Sequence, residues 1–289
     1  MKQQILEINV AEWHVDNAAS AWSTALEAGN VLYLPHLAFT LSEAEQPLLT
    51  PAACAPKIRS ICLDAQGQLT GAVGDAATQA AMAAMIGRFR QQTQALIGSL
   101  LPRYAKAVRL APTNFRPLRV ETRTQAWRAD DRRLHLDASP THPNYGERIL
   151  RVFANIHPAG LPRMWRIGEP FEVVARHFLP RVKKYSARSA RLLHALRRTK
   201  SLRSEYDHLM LQLHDQMKID LDYQQDAHQI TVPFAAGSVW ICFSDQTSHA
   251  AMSGQYLLEQ TMHLPVAQQY DPGSGPLAIL GRITGRALV

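Results

Sequence analysis

The chain has 289 residues, of which 46% are hydrophobic and 19% are charged, a composition typical of a globular protein with ample core material. Its three cysteines are odd in number and lack Cys-x-x-Cys spacing, which argues against a disulfide framework or a zinc knuckle. No apolar run approaches the length needed to cross a bilayer. Residues 1–7 lack the apolar region of a signal peptide, so we expect a cytoplasmic protein.

The net charge of +7 is concentrated in one segment. Residues 176–203 contain ten Lys or Arg and no Asp or Glu, whereas the rest of the chain has 21 basic and 24 acidic residues. A localised positive segment indicates a polyanionic partner, such as nucleic acid, acidic lipid headgroups or an anionic glycolipid. A solvated helix face is the ordinary alternative. From residue 181 onward Tyr185 is its one aromatic residue, which disfavours base stacking with nucleic acid.

Helix and loop patterns fill the N-terminal third. Apolar spacing predicts a short helix over residues 15–30, and Val31–Leu34 reads as a strand ended by proline. Residues 40–75 are rich in Pro, Gly and Ala and are predicted to be loops. A long helix is predicted over residues 76–101, with its Met and Ala residues packed in the core.

Strand patterns dominate the region after residue 111. Residues 118–127 alternate in character and predict a strand, and residues 149–156 predict another with Arg151, Phe153 and Asn155 on one face. Helical stripes then run through residues 176–222. Further strands are predicted at residues 229–234, 238–243, 249–252 and 256–264. The Pro- and Gly-rich stretch after Asp271 predicts a linker to a short basic end.

This order of elements predicts an α+β protein with a mainly β core, either a sandwich or a barrel, and with helices packed outside it. We expect one catalytic domain over the whole chain. Its parts are an N-terminal helical and loop region (1–110), a β core (111–175 and 226–265), a helical basic insertion (176–225) and a tail (271–289).

One short motif suggests a metal site. In an extended segment, residues two apart point the same way, so His135 and Asp137 can aim an imidazole and a carboxylate at one ion. A second histidine from a neighbouring strand would complete the 2-His-1-carboxylate set that holds Fe(II) and leaves positions open for oxygen chemistry. By itself the motif also fits a polar turn in which Asp137 accepts bonds from nearby backbone N–H groups.

His249 is the best candidate for the missing ligand. It follows an apolar strand and a polar turn and begins the next strand, a position that suits a ligand at the mouth of a sheet. His263 is a weaker candidate that more plausibly ends its strand. The alternative for His249 is a hydrogen-bonded core histidine.

The sequence around this motif resembles the Kdo hydroxylase family, Fe(II)/2-oxoglutarate-dependent dioxygenases that act on the Kdo sugar of Kdo-lipid A. The resemblance is carried by the runs DDRRLHLDASP, GERILRVFANIHP and PRMWRIGEPF, which begin at residues 130, 146 and 162. It is densest over residues 111–180 and 237–265. The resemblance implies a double-stranded β-helix (cupin-like jelly roll) with His135, Asp137 and His249 as iron ligands.

The resemblance also implies 2-oxoglutarate as cosubstrate and O2 as oxidant, and the far carboxylate of 2-oxoglutarate requires a cation. Many relatives place that cation about ten residues after the second histidine, where this chain has no basic residue. We therefore expect Arg151 to supply it, with Asn155 on the same strand face and Gln260 adding a hydrogen bond. A surface ion pair with Glu147 or another neighbour is the alternative for Arg151.

The implied substrate is anionic, because Kdo carries a carboxylate and lipid A carries phosphates. Arg123, Arg163 and Arg166 are candidate substrate contacts, each with a surface position as its alternative. The basic segment is expected to hold the enzyme at the inner face of the cytoplasmic membrane. The expected function is hydroxylation of carbon 3 of Kdo. The alternative function is a non-catalytic cupin-like module that binds an anionic glycolipid or nucleic acid through the basic helix.

Overall fold

The computed structural model describes residues 4–289, so part of the N-terminal stretch used above to predict a cytoplasmic protein, residues 1–3, lies outside it. Eleven strands occur in the described residues: β1 (Ile5–Glu7), β2 (Val31–Leu34), β3 (Ile61–Leu63), β4 (Leu69–Thr70), β5 (Arg109–Arg116), β6 (Arg148–Asn155), β7 (Arg163–Ile167), β8 (Ile230–Phe234), β9 (Ser238–Phe243), β10 (His249–Ser253) and β11 (Leu257–Leu264). Seven α-helices accompany them: α1 (Ser20–Glu27), α2 (Ala76–Leu100), α3 (Phe171–Phe178), α4 (Ala187–Ala195), α5 (Glu205–Ile219), α6 (Leu221–Asp226) and α7 (Pro276–Thr284).

The strands form two sheets. The larger sheet has the order β1-β2-β9-β6-β11-β5-β3-β4, and the smaller has the order β10-β7-β8. Aromatic side chains join them: Phe153 of β6 lies 5.0 Å from Trp165 of β7, and Phe234 of β8 stacks 4.2 Å from Trp240 of β9 (ring centroids). The expected mixed α+β class with a large β component is confirmed.

The central strand β6 separates two cores, because successive side chains of a strand point to opposite faces. Leu150, Val152 and Ala154 are buried in the core that also contains α2. Phe153 faces the smaller sheet and packs in a second, aromatic-rich cluster. The alternation predicted for this strand is therefore observed.

Helix α2 forms as predicted and covers the outer face of the larger sheet. Its N-terminus is capped by Asp75, whose carboxylate accepts a hydrogen bond from the Thr78 N–H at 2.8 Å. Met82, Met85 and Phe89 are fully buried, which confirms that its methionines serve core packing.

The strand predicted over residues 118–127 is wrong, because this stretch is a loop that ends in a 3-10 turn. Thr122, Thr124 and Ala126 are exposed. The Arg123 guanidinium instead turns inward and donates to the Leu118 carbonyl. The Val120 N–H bonds across to the Gly254 carbonyl at 3.1 Å. The regular strand is β5, which ends before Pro117.

The linker predicted after Asp271 is also wrong, because residues 276–284 form helix α7. Proline occupies its first turn, where the missing N–H costs nothing. Ile279 and Leu280 are buried with residues of α3 and α5 in a third core. The Pro and Gly residues mark the start of a packed helix here.

Residues 171–226, which include the predicted basic insertion, contain the four helices α3 to α6. Helix α4 is the least packed of them, since Ala190 is its one buried residue. No helix among residues 4–289 is both long and apolar enough to cross a membrane.

Candidate metal centre

His135 and His249 face each other across a two-residue antiparallel bridge. The His135 N–H donates to the His249 carbonyl and the His249 N–H donates to the His135 carbonyl, both at 3.0 Å. This pairing sets the distance between the two side chains through the main chain, and their ring centroids lie 4.5 Å apart. The extended backbone expected around the His-x-Asp motif is present at this position.

Asp137 completes the group. Its N–H donates to the Ser244 carbonyl at 2.8 Å, a bond outside the His135–His249 bridge. Its Oδ1 lies 3.7 Å from His135 Nε2. One potential ligand atom from each of His135, Asp137 and His249 lies within 4.8 Å of the others. The structure therefore brings together the three residues that the sequence selected.

The histidine tautomers suit a metal. His135 Nδ1 lies 2.7 Å from the Arg133 carbonyl and His249 Nδ1 lies 2.8 Å from the Thr247 carbonyl. Because a carbonyl oxygen only accepts, each Nδ1 carries the proton and each Nε2 keeps a lone pair. Burial lowers the pKa of both imidazoles, and His249 lowers that of His135 further. Both rings are neutral near pH 7, as metal ligation requires.

The carboxylate is held in its charged form. Burial raises the pKa of Asp137, but Arg151 and the two histidines outweigh it and hold that pKa well below its usual range. Arg151 Nη2 lies 2.9 Å from Asp137 Oδ2. Trp165 stacks on the His249 ring with centroids 5.0 Å apart and planes 19° apart, which fixes the orientation of the imidazole.

Two imidazole nitrogens and one carboxylate on one side of a cavity match the ligand set of non-heme Fe(II) oxygenases, which leaves positions open for small ligands. The adjoining cavity has a volume of about 130 Å³. It is lined by Arg116, Asp131, His135, Asp137, Arg151, Phe153, Arg163, Trp165, His249, Ala251, Leu257 and Glu259.

Two cavity arginines have very different surroundings. Arg151 bridges two carboxylates, Asp137 at 2.9 Å and Glu259 at 2.8 Å. Arg163 is 3% exposed, its Nε and Nη1 have no hydrogen-bond partner, and it forms no ion pair within residues 4–289. Burial, together with Arg116 and Arg123, lowers the pKa of Arg163 to about 9. An unpaired buried cation is costly, so Arg163 is poised to bind an anion.

Two predicted cosubstrate contacts, Gln260 and Asn155, do not line the cavity. Gln260 points to the opposite face of β11 from Glu259, donates to the Ala111 carbonyl at 2.9 Å and accepts from Thr113. Asn155 shares a face with Arg151 but lies farther along β6. Its side-chain amide donates to the Leu161 and Phe234 carbonyls at 3.0 and 3.1 Å, so it links the end of β6 to the following loop and to β8.

The three predicted substrate arginines also differ. Arg163 lines the cavity. Arg123 is half-buried beside it, and its Nη1 lies 3.7 Å from Asp131 Oδ2. Arg166 points to the other face of β7 and donates to the Gln224 and Arg132 carbonyls, so its nitrogens are used in loop packing. In this position Arg166 does not line the cavity, and its predicted substrate role stays a prediction.

Sequence reasoning missed Arg116, Asp131, Trp165 and Glu259. Glu259 stands ten residues after His249, where a basic residue was sought, and it pairs with Arg116 at 2.8 Å as well as with Arg151. Burial raises the pKa of Glu259, but the two arginines outweigh it and hold that pKa below its usual range. Strand order was needed to find this network, because β5, β6 and β11 are distant in the sequence.

Comparison with known proteins identifies the family. A family model described as 3-deoxy-D-manno-oct-2-ulosonic acid (Kdo) hydroxylase matches residues 10–287. The chain belongs to the Kdo hydroxylase family. The comparison with curated proteins returned no match.

Solved structures of a Kdo hydroxylase, KdoO, superpose on the whole fold. One, described as a non-heme Fe(II) alphaketoglutarate-dependent dioxygenase in complex with alphaketoglutarate and Fe(III), has a TM-score of 0.94 and 39% sequence identity. The apo form of KdoO gives 0.95 and 40%. Both matches cover 99% of this chain and 98% of the other.

Proposed function

We propose that this protein is an Fe(II)- and 2-oxoglutarate-dependent dioxygenase that hydroxylates the sugar Kdo. The observation that carries the proposal is the convergence of two neutral histidines and one carboxylate on a cavity in a member of the Kdo hydroxylase family. KdoO, its solved relative, was crystallised with Fe(III) together with alphaketoglutarate or succinate.

His135, Asp137 and His249 would hold the iron through two Nε2 atoms and one carboxylate oxygen. When bound, Fe(II) supplies the redox chemistry in which 2-oxoglutarate, O2 and a substrate C–H yield succinate, CO2 and a C–OH group. The protein's contribution is positional. The carbonyl bonds to each Nδ1 orient the rings, and Arg151 orients the carboxylate.

The far carboxylate of 2-oxoglutarate needs a fixed cation, and the cavity offers two. Arg151, the residue chosen from the sequence, is already neutralised by Asp137 and Glu259. Arg163 has no carboxylate partner among residues 4–289. We therefore favour Arg163 as the anchor and give Arg151 the task of holding Asp137.

The charge balance of the cavity suits anionic ligands. Four arginines at or beside it, Arg116, Arg123, Arg151 and Arg163, outnumber the three carboxylates Asp131, Asp137 and Glu259. This excess favours the dianionic cosubstrate and a sugar acid whose carboxylate lies near Arg123 or Arg116. The substrate that fits best is the Kdo of Kdo-lipid A, hydroxylated at carbon 3, as the family resemblance suggests.

The finer architecture also belongs to the proposal. The two facing sheets, joined through Phe153, Trp165 and Trp240, support a double-stranded β-helix of the cupin type. Residues 176–225 would form an insertion whose basic surface contacts anionic lipid at the cytoplasmic side of the membrane. The structured ligand group disfavours the alternative of a non-catalytic binding module.

The reaction is tested in two steps. Anaerobic addition of Fe(II) and 2-oxoglutarate should produce a weak visible charge-transfer band in the purified protein, and His135→Ala should abolish it. Succinate release in air should then be stimulated by Kdo-lipid A and not by DNA. A band without stimulation by Kdo-lipid A would retain the cofactors and overturn the substrate. Absence of the band in the wild-type protein would overturn the proposed enzyme class.

A further inference from the structure

Helix α4 presents large apolar side chains to solvent. Leu192 and Leu196 are 60% and 61% exposed. They are four residues apart and so lie on one side of the helix and its C-terminal cap. The inner side contacts the protein through Ala190, which is buried, and Leu193, which is half-buried. Helix α4 therefore has apolar residues on its solvent side as well as on its inner side.

Cations without ion-pair partners flank these leucines in the sequence. Of the ten basic residues in 176–203, Arg176 pairs with Glu172 and Arg181 with Asp220. The other eight form no ion pair within residues 4–289: Lys183, Lys184, Arg188, Arg191, Arg197, Arg198, Lys200 and Arg203. These eight side chains are therefore available to pair with anionic groups of another molecule.

We propose that α4 docks the protein on an anionic phospholipid bilayer by inserting Leu192 and Leu196 among the acyl chains while the flanking Arg and Lys bind headgroup phosphates. The charge complementarity selects an anionic surface, and the exposed leucines select one with an apolar interior. Nucleic acid offers the charge and has no acyl layer for the leucines. This inference rests on the proposed function, because a lipid-linked sugar lies in a bilayer.

The surface differs from the catalytic cavity in its chemistry. The cavity arginines are buried or half-buried, and two of them pair with carboxylates, whereas Arg188 and Arg191 of α4 are exposed and unpaired. The helix also starts with its own cap, since the Ser186 hydroxyl accepts from the Ser189 N–H at 3.2 Å. A capped helix with one buried residue tolerates changes on its outer side, so the docking surface can be altered without disturbing the core.

The test is co-sedimentation with vesicles of phosphatidylcholine alone or with added phosphatidylglycerol, in the absence of iron, 2-oxoglutarate and Kdo-lipid A. Leu192→Gln/Leu196→Gln should lower the partition coefficient on the anionic vesicles at least about tenfold. Arg188→Gln/Arg191→Gln should lower it by about tenfold or more. The matched control is Leu221→Gln, at a leucine that is 56% exposed on α6, and it should bind as the wild type does.

A variant with increased binding separates loss of docking from misfolding, because a misfolded protein would not bind more tightly. Leu192→Trp/Leu196→Trp should bind the anionic vesicles several-fold more tightly, since tryptophan prefers the bilayer interface. Binding that responds to the arginine variants alone would overturn leucine insertion. Wild-type protein that is retained by DNA and fails to sediment with anionic vesicles would overturn the lipid surface. Both results come from cofactor-free protein, so they are independent of the hydroxylation assay.

Discussion

Two groups of residues at the cavity differ in whether their polar atoms already have partners. In the ligand group, the Nδ1 atoms of His135 and His249 each have a backbone carbonyl partner, and Asp137 has Arg151. In the arginine cluster, Arg163 has buried nitrogens without partners, next to Arg116 and Arg123. The carboxylate of the ligand group is already ion-paired before anything binds, whereas Arg163 gains a partner of opposite charge only when an anion binds. Substitutions in the two groups should therefore have opposite consequences for stability and for binding.

The largest expected effect is on the metal. His135→Ala removes a ligand and should weaken Fe(II) or Co(II) binding by more than the roughly 10–100-fold seen when an outer partner of a ligand is lost. Isothermal titration under anaerobic conditions measures it. A matched change at His142, a histidine outside the cavity, should leave metal affinity unaltered. Equal affinities of His135→Ala and the wild type would remove His135 from the site.

The second prediction concerns the paired arginine. Arg151→Met should destabilise the metal-free protein by about 3–5 kcal/mol, because Asp137 would lose its cation and Glu259 would keep only Arg116. Denaturant unfolding with a chelator present measures the free energy. If the loss were below about 1 kcal/mol, the ion pairs would be behaving as solvent-exposed ones.

Arg163 should behave in the opposite way. Arg163→Met removes an unpaired buried charge, so the metal-free protein should keep or gain stability, while KM for 2-oxoglutarate rises by about 10–100-fold, equivalent to about 1.4–2.8 kcal/mol. Steady-state succinate release against cosubstrate concentration reports KM. A large KM increase in Arg151→Met with none in Arg163→Met would return the anchor to Arg151.

Lowering the pH should destabilise the metal-free protein through the two ligand histidines. Burial lowers the pKa of His135 and His249, so the unfolded chain takes up protons near pH 6.5 that the folded metal-free protein rejects. Stability is fully present above that pH and falls as the pH decreases through it, by about 1.4 kcal/mol per pH unit for each histidine. Unfolding curves of chelated protein between pH 5 and 7 give the slope. His249→Asn should reduce this slope, and an unchanged slope would assign the protons to other groups.

The smallest effect is expected from the indole that supports His249. Trp165→Phe keeps an aromatic ring and shortens the stacking surface, so Co(II) affinity should fall only a few-fold while the fold remains. Calorimetric titration with Co(II) is sensitive enough to detect it. A loss as large as that of His135→Ala would indicate that Trp165 determines the ligand geometry outright.

Local patterns predicted much of the fold and of the metal group. The alternation of β6, the apolar spacing of α2 and the two-residue spacing of His135 and Asp137 are properties of one segment each, and all three appear in the structure. Their physical cause is the fixed period of strands and helices.

The remaining features depend on contacts that local patterns do not encode. Gln260 and Glu259 differ by one position in β11, and only the register with β6 decides which faces the cavity. Arg123 belongs to a loop whose alternation resembles a strand, and its inward turn depends on tertiary packing. Helix α7 is nine residues long and is stabilised by burial against α3 and α5, so its sequence alone gave a weak signal.

The stacking of Trp165 on His249 has a practical consequence. An indole in face-to-face contact with a ligand ring lies close enough to a bound open-shell ion for its emission to be quenched. The intrinsic tryptophan fluorescence of the protein should therefore report metal occupancy, without a label and without turnover. Titration with Co(II) should dim the emission of the wild-type protein and have a smaller effect on Trp165→Phe.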